Sequence, residues 1–288
     1  MGLGESCNNM ISIFSVISFI IYTTLCMCVA VLVWKPQLVA NIIIRNYPSQ
    51  LYSDASDAEY VEHEYRDSKV YTYNDTGYEP GSPVIIYLNG GMFVMMSPEL
   101  RALQEFTHRR RLVTFTHPVR FDAETRDIVE YIRDLIVNYI PTLYAKDPPK
   151  EYFIVAHSAG AFYAILMIRL INGSTKHDSS NMYISRFIGI NGFYGSSTTK
   201  FLMFKLLSVG YVEKDLPTPV PLSIASYTDR IHVLTNTDDF IRDSSEAFAH
   251  NNGASLRVMP GDHTSLYTLS KPESVKMFEY LNELILES

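Results

Sequence analysis

The chain has 288 residues, 47% of them hydrophobic, a net charge of −7 and three cysteines. That length suits one large core after an N-terminal segment is set aside. The acidic balance excludes nucleic acid as a partner, because phosphate neutralisation needs a basic surface. Cys7, Cys26 and Cys28 all lie near the N-terminus, so the rest of the chain has no internal disulfide, cysteine-ligated zinc or cysteine nucleophile.

Residues 1–9 form a short polar tail, and residues 10–34 then run without a charge to Trp34, with Lys35 directly after it. About 25 residues rising about 1.5 Å each exceed the roughly 30 Å hydrocarbon thickness, so 10–34 reads as a single transmembrane helix. A cleaved signal peptide fits less well, since the tail has no Lys or Arg and the apolar run is too long. The side of the membrane stays open. Lys35 and Arg45 after the span place the large domain in the cytosol by the positive-inside rule. Gly2 and Ser6 fit an N-myristoylation pattern with Cys7 beside it for palmitoylation, which puts the domain in the lumen, at the endoplasmic reticulum or another endomembrane. There the sequons at Asn74 and Asn172 would be usable. Residues 35–66 read as a juxtamembrane connector. The acidic run from Asp54 to Asp67 within and beside it reads as a solvated face.

From 67 to 288 strand-like and helix-like runs alternate. Strands are expected at 84–88, 112–115, 152–156, 187–190, 231–234 and 256–259. Helices are expected at 124–139, 159–171, 240–250 and 271–286 from their apolar spacing. This alternation implies βαβ units and a mostly parallel sheet covered on both faces, an α/β class. Chemistry in such sheets sits at the carboxyl ends of the strands, so a functional side chain should follow a strand directly.

Ala156-His157-Ser158-Ala159-Gly160 follows one of these strands and opens a helix. Small residues two before and two after the serine let strand and helix approach closely around an exposed hydroxyl. Alone, the pentapeptide competes with an ordinary helix N-cap serine. A serine nucleophile also needs a base and an acid to orient it, in the order Ser, Asp/Glu, His. Of the downstream histidines, His177 lies in a polar stretch, His232 in a strand and His250 in a helix. His263 alone follows a strand in a loop, before the last helix. Asp238 and Asp239 both follow the strand at 231–234 within reach of an imidazole. Asp262 is too close in sequence to orient His263, and Asp243 lies a helical turn further on. Asn89-Gly90-Gly91 follows the strand at 84–88, where glycines let the backbone approach a ligand. The amides of Gly90, Gly91 and Ala159 are the candidate oxyanion donors.

These motifs resemble the hormone-sensitive-lipase branch of the α/β-hydrolases, with its kynurenine-formamidase and feruloyl-esterase-like relatives, from about residue 84 to the C-terminus. Asn89-Gly90-Gly91-Met92-Phe93 is similar to the family's His-Gly-Gly-x-Phe/Tyr motif, with asparagine for the histidine. Ala156-His157-Ser158-Ala159-Gly160-Ala161 is similar to its Gly-[Asp/His]-Ser-Ala-Gly elbow, with alanine for the first glycine. Asp239-Phe240-Ile241-Arg242-Asp243 resembles its Asp-Pro-Leu-Arg-Asp segment without the proline. The resemblance implies an α/β-hydrolase fold and an esterase or lipase triad of Ser158, Asp239 and His263, and it selects Asp239 over Asp238.

The segment 193–226, rich in Phe, Leu and Pro, reads either as a lid over the site or as scaffold. A membrane tether beside an apolar cover points to a small-molecule ester, lipid or otherwise hydrophobic, as substrate. Two rivals remain: an amide hydrolase of the formamidase type, and a non-catalytic hydrolase fold used for interaction. No dinucleotide, P-loop or H-E-x-x-H motif is present, so no cofactor or metal is expected.

Overall fold

The computed structural model describes residues 59–73, 78, 80–91, 102–104, 110–116, 124–173, 182–200, 213, 216, 223–267 and 272–286. Among them, strands β1 (Val61–Tyr65), β2 (Ser68–Tyr73), β3 (Val84–Leu88), β4 (Arg111–Phe115), β5 (Tyr152–His157), β6 (Ile184–Ile190), β7 (Arg230–Asn236) and β8 (Ser255–Met259) form one sheet. Its order is β1-β2-β4-β3-β5-β6-β7-β8. The β1–β2 and β2–β4 pairs are antiparallel and all others parallel. The side chains of β3 and β5 alternate between two cores. Val84, Ile86, Ile154 and Ala156 face one, and Ile85, Tyr87, Phe153 and Val155 the other, as the two-residue period of a strand requires.

Both faces are covered, which is why β3 and β5 read as near-continuous apolar runs rather than alternating. One face carries α1, in which Thr125–Asp134 runs through a π-helical turn, Leu135–Tyr139, into Ile140–Leu143. It also carries α2 (Ala159–Gly173) and Phe248 and Ala249 of α3 (Arg242–Asn252). The other face carries α4 (Pro272–Leu286) through Met277, Phe278, Leu281, Leu284 and Ile285, at the spacing of an amphipathic helix.

The sheet begins two strands earlier than the sequence suggested: β2 precedes the first expected strand at 84–88, and β1 lies inside the stretch assigned to the connector. Its residues are mostly exposed, so this edge strand lacks the apolar alternation that marks a half-buried one. Part of the acidic run thus serves a hairpin, in which Lys69 Nζ pairs with Glu62 at 2.8 Å. Tyr131 and Tyr139 of α1 pack against the core, as expected of its apolar face, and also donate their hydroxyls to the carbonyls of Tyr65 and Glu64.

Asn172 is not a free glycan acceptor: it is buried, its amide donates to the carbonyls of Ile184 and Tyr227, and its Oδ1 accepts from the Ile184 N–H. Phe193, Tyr194 and Ile224, at the two ends of the proposed lid, belong to the core beneath the sheet. Among the described residues no helix is long and apolar enough to cross a membrane. The run at 10–34, Gly2, Cys7, Asn74 and His177 lie outside the described residues.

Candidate active site

Ser158 stands between the end of β5 and the start of α2 with φ 51°. A non-glycine residue in this left-handed region costs about 1–3 kcal/mol, and the surroundings must hold it there. Its N–H donates to the Ile190 carbonyl at 3.0 Å, and its carbonyl accepts from the Phe193 N–H at 3.0 Å. The elbow is thereby pinned to the end of β6, the neighbouring parallel strand. The carbonyl also accepts from the Ala161 N–H at 3.1 Å, as the residue before a helix does. The helix-cap reading therefore describes the backbone, while the side chain has a different partner.

That partner is His263. Its Nε2 lies 2.9 Å from Ser158 Oγ, and its Nδ1 lies 2.9 Å from Asp239 Oδ1. A carboxylate oxygen only accepts, so Nδ1 carries the proton and Nε2 accepts from the serine hydroxyl. Asp239 Oδ1 also accepts from the Ile241 N–H at 3.0 Å, which fixes the carboxylate against its own turn. Asp239 Oδ2 is buried and has no hydrogen-bond partner among the described residues. The other candidates are engaged elsewhere. Asp238 is exposed, and its N–H donates to the Gly261 carbonyl. Asp262 accepts from the Thr264 N–H and hydroxyl, and Asp243 from the Ser244 and Lys200 N–H groups. His232 bonds Ser255 and lies in β7, and His250 is exposed on α3.

Gly90 and Gly91 lie at the end of β3 beside the serine. A Cβ at Gly90 would sit 2.7 Å from Ser158 Cβ and 2.9 Å from His157 Nδ1, so only glycine fits there. Gly91 has φ 128°, which also favours glycine. Asn89 is buried and donates its side-chain amide to the Gly90 carbonyl at 3.2 Å. In a trans peptide the N–H of Gly91 points opposite to that carbonyl, so Asn89 fixes the direction of a candidate oxyanion donor. Ala159 is the first residue of α2, whose opening N–H groups have no partner within the helix.

Four neighbours escaped the sequence reading. His157 is fully buried, and its Nε2 donates to the His263 carbonyl at 3.3 Å. Burial holds its imidazole well below the ordinary histidine range, and the adjacent His263 lowers it further. Phe240 is 47% exposed, with its ring 4.5 Å from that of His263, so it screens the imidazole on one side. Asn191 and Asn236 lie buried at the ends of β6 and β7. A polar residue at the end of a strand is the signal that Asn191 and Asn236 carry in the sequence.

No family model matches the chain, and no curated protein matches it by sequence. Solved structures do match. A hyperthermophilic esterase from the archaeon Pyrobaculum calidifontis superposes with a TM-score of 0.65 at 15% identity, covering 93% of this chain and 97% of that one. The fold is that of the α/β-hydrolases. Esterase B from Lactobacillus rhamnosis, inhibited by a tributyrin phosphonate, superposes with a TM-score of 0.64 at 10% identity, covering 87% and 97%. EstE5 with PMSF gives 0.65 at 14%, covering 86% and 90%. At such identities the likeness establishes architecture, and function rests on the site.

Proposed function

We propose that the protein is a serine hydrolase of carboxylic esters, acting through an acyl-enzyme on Ser158. The observation that carries this reading is the single imidazole of His263 at 2.9 Å from both Ser158 Oγ and Asp239 Oδ1. In the first step His263 Nε2 takes the hydroxyl proton as Oγ attacks the ester carbonyl. Asp239 accepts from Nδ1–H and stabilises the imidazolium that forms. Negative charge on the carbonyl oxygen is met by the amides of Gly90, Gly91 and Ala159. His263 then returns its proton to the alkoxide, the alcohol leaves, and Ser158 keeps the acyl group. Water repeats the sequence: Nε2 takes its proton, the hydroxide attacks the acyl carbon, and the carboxylic acid departs as Oγ is reprotonated.

The architecture shared with the esterases from Pyrobaculum and Lactobacillus supports an ester as substrate. In this reading the run at 10–34 tethers the domain to a membrane, where hydrophobic esters concentrate. Asn74 is the position that reports the side, since Asn172 is buried and bonded. A fluorophosphonate probe should label the full chain, and Ser158→Ala should abolish labelling. Labelling that survives the substitution removes Ser158 from the mechanism, and an unlabelled wild type that hydrolyses no p-nitrophenyl ester removes the activity.

A further inference from the structure

His263 stands on a loop with no regular structure of its own, yet its ring must satisfy two partners at once. Below that loop two fully buried side chains, Asn191 and Asn236, form a closed amide pair. Asn191 Nδ2 donates to Asn236 Oδ1 at 2.7 Å, and the Asn236 N–H donates to Asn191 Oδ1 at 2.9 Å. The remaining donors leave the pair toward the histidine loop. Asn191 Nδ2 lies 3.3 Å from the His263 carbonyl, and Asn236 Nδ2 lies 3.0 Å from the Pro260 carbonyl. The Asn236 carbonyl accepts from the Asp239 N–H at 3.3 Å, so the same pair also holds the loop of the acid.

Asn191 adopts φ 45°, a left-handed conformation that asparagine tolerates better than most residues. Its N–H donates to the Leu234 carbonyl at 2.8 Å, which turns the side chain across the ends of β6 and β7. Buried amides left half-satisfied are costly, whereas a fully satisfied network is rigid. Here both side chains use their acceptor and direct donors at the loop that carries His263, while the Asn236 backbone carbonyl holds the first turn of the Asp239 loop.

We propose that Asn191 and Asn236 are positioning residues that set the His263 imidazole against Ser158 and Asp239. They touch no substrate and act through the backbone of the base and acid loops. This inference rests on the serine-hydrolase reading. Asn191→Gly tests it, because glycine keeps the positive φ and removes only the amide. The measurements are kcat, KM and the fluorophosphonate labelling rate of folded protein, well below its Tm. The expected result is a fall in kcat and labelling rate of about 10- to 100-fold with KM unchanged, since a displacement near 1 Å suffices for such a loss.

A merely structural amide would lower Tm while folded molecules kept the wild-type labelling rate, and that result overturns the proposal. A rise in KM at constant kcat overturns it as well. Should Asn191→Gly fail to accumulate folded, Asn236→Ser carries the same comparison. The two readings fail separately. A wild type that is not labelled refutes the hydrolase, while a labelled wild type with equally reactive asparagine variants refutes only the positioning role.

Discussion

Gly160→Ala places one methyl group where the first turn of α2 crosses the end of β3. Its Cβ would lie 2.3 Å from the Leu88 carbonyl oxygen and 2.5 Å from that of Asn89. Both are buried backbone atoms at the carboxyl end of a central strand, so no side-chain rotation relieves the contact. Ordinary contact distances require roughly 1 Å of separation between helix and strand. Overpacking a well-packed interior costs about 1–3 kcal/mol, and rigid backbone on both sides places this case at the upper end. For a domain of this size, about 3 kcal/mol corresponds to a Tm lowered by roughly 6–12 °C. The strand end that must move leads into Gly90 and Gly91, and the helix start carries Ala159. A shift of about 1 Å between them also lowers the acylation rate, by up to about 100-fold. Thermal unfolding and the fluorophosphonate labelling rate read the two effects independently. A variant that melts within about 2 °C of wild type and labels at the wild-type rate would refute both the packing argument and the placement of the oxyanion donors.

Asp239→Asn keeps the size of the side chain but offers His263 Nδ1 the wrong tautomeric partner. It should lower kcat by roughly 10³- to 10⁴-fold with a near-native Tm. Asp238→Asn should leave kcat within about two-fold, since an exposed surface side chain perturbs little, and the reverse ranking would reassign the acid. His157 gives a pH dependence whose sign is fixed by its depressed pKa. Between the lowered value in the fold and the ordinary value near 6.5, the unfolded chain binds the proton and the folded one does not. This contribution to stability is therefore fully present above about pH 6.5 and is lost as the pH falls toward the folded value. Tm measured from pH 7.5 to 5 should decline more steeply in the wild type than in His157→Gln, and parallel curves would mean that His157 is not held neutral.

Much of this site is legible along the chain, because its residues are tied to strand ends. The order of Ser158, Asp239 and His263, the glycine pair after β3 and the small residues around the serine are one-dimensional facts that the parallel sheet makes meaningful. The central strands were legible for a related reason: burial on both faces demands continuous apolar runs, which stand out in any sequence. The edge strand β1 was not, since an exposed edge imposes no pattern on Glu62, His63 and Glu64. Asn172 read as an open sequon because nothing local reveals that Ile184 and Tyr227 close over its amide.

Only the tertiary structure chose between Asp238 and Asp239 by geometry, through the turn in which the Ile241 N–H holds Oδ1. It alone brought Asn191 and Asn236 under the histidine loop, 45 residues apart in the chain and 2.7 Å apart in space. Sequence determines which chemical groups exist and where the strands must end. Which of those groups share a proton depends on how neighbouring strand ends are stacked, and that is set by long-range pairing in the sheet.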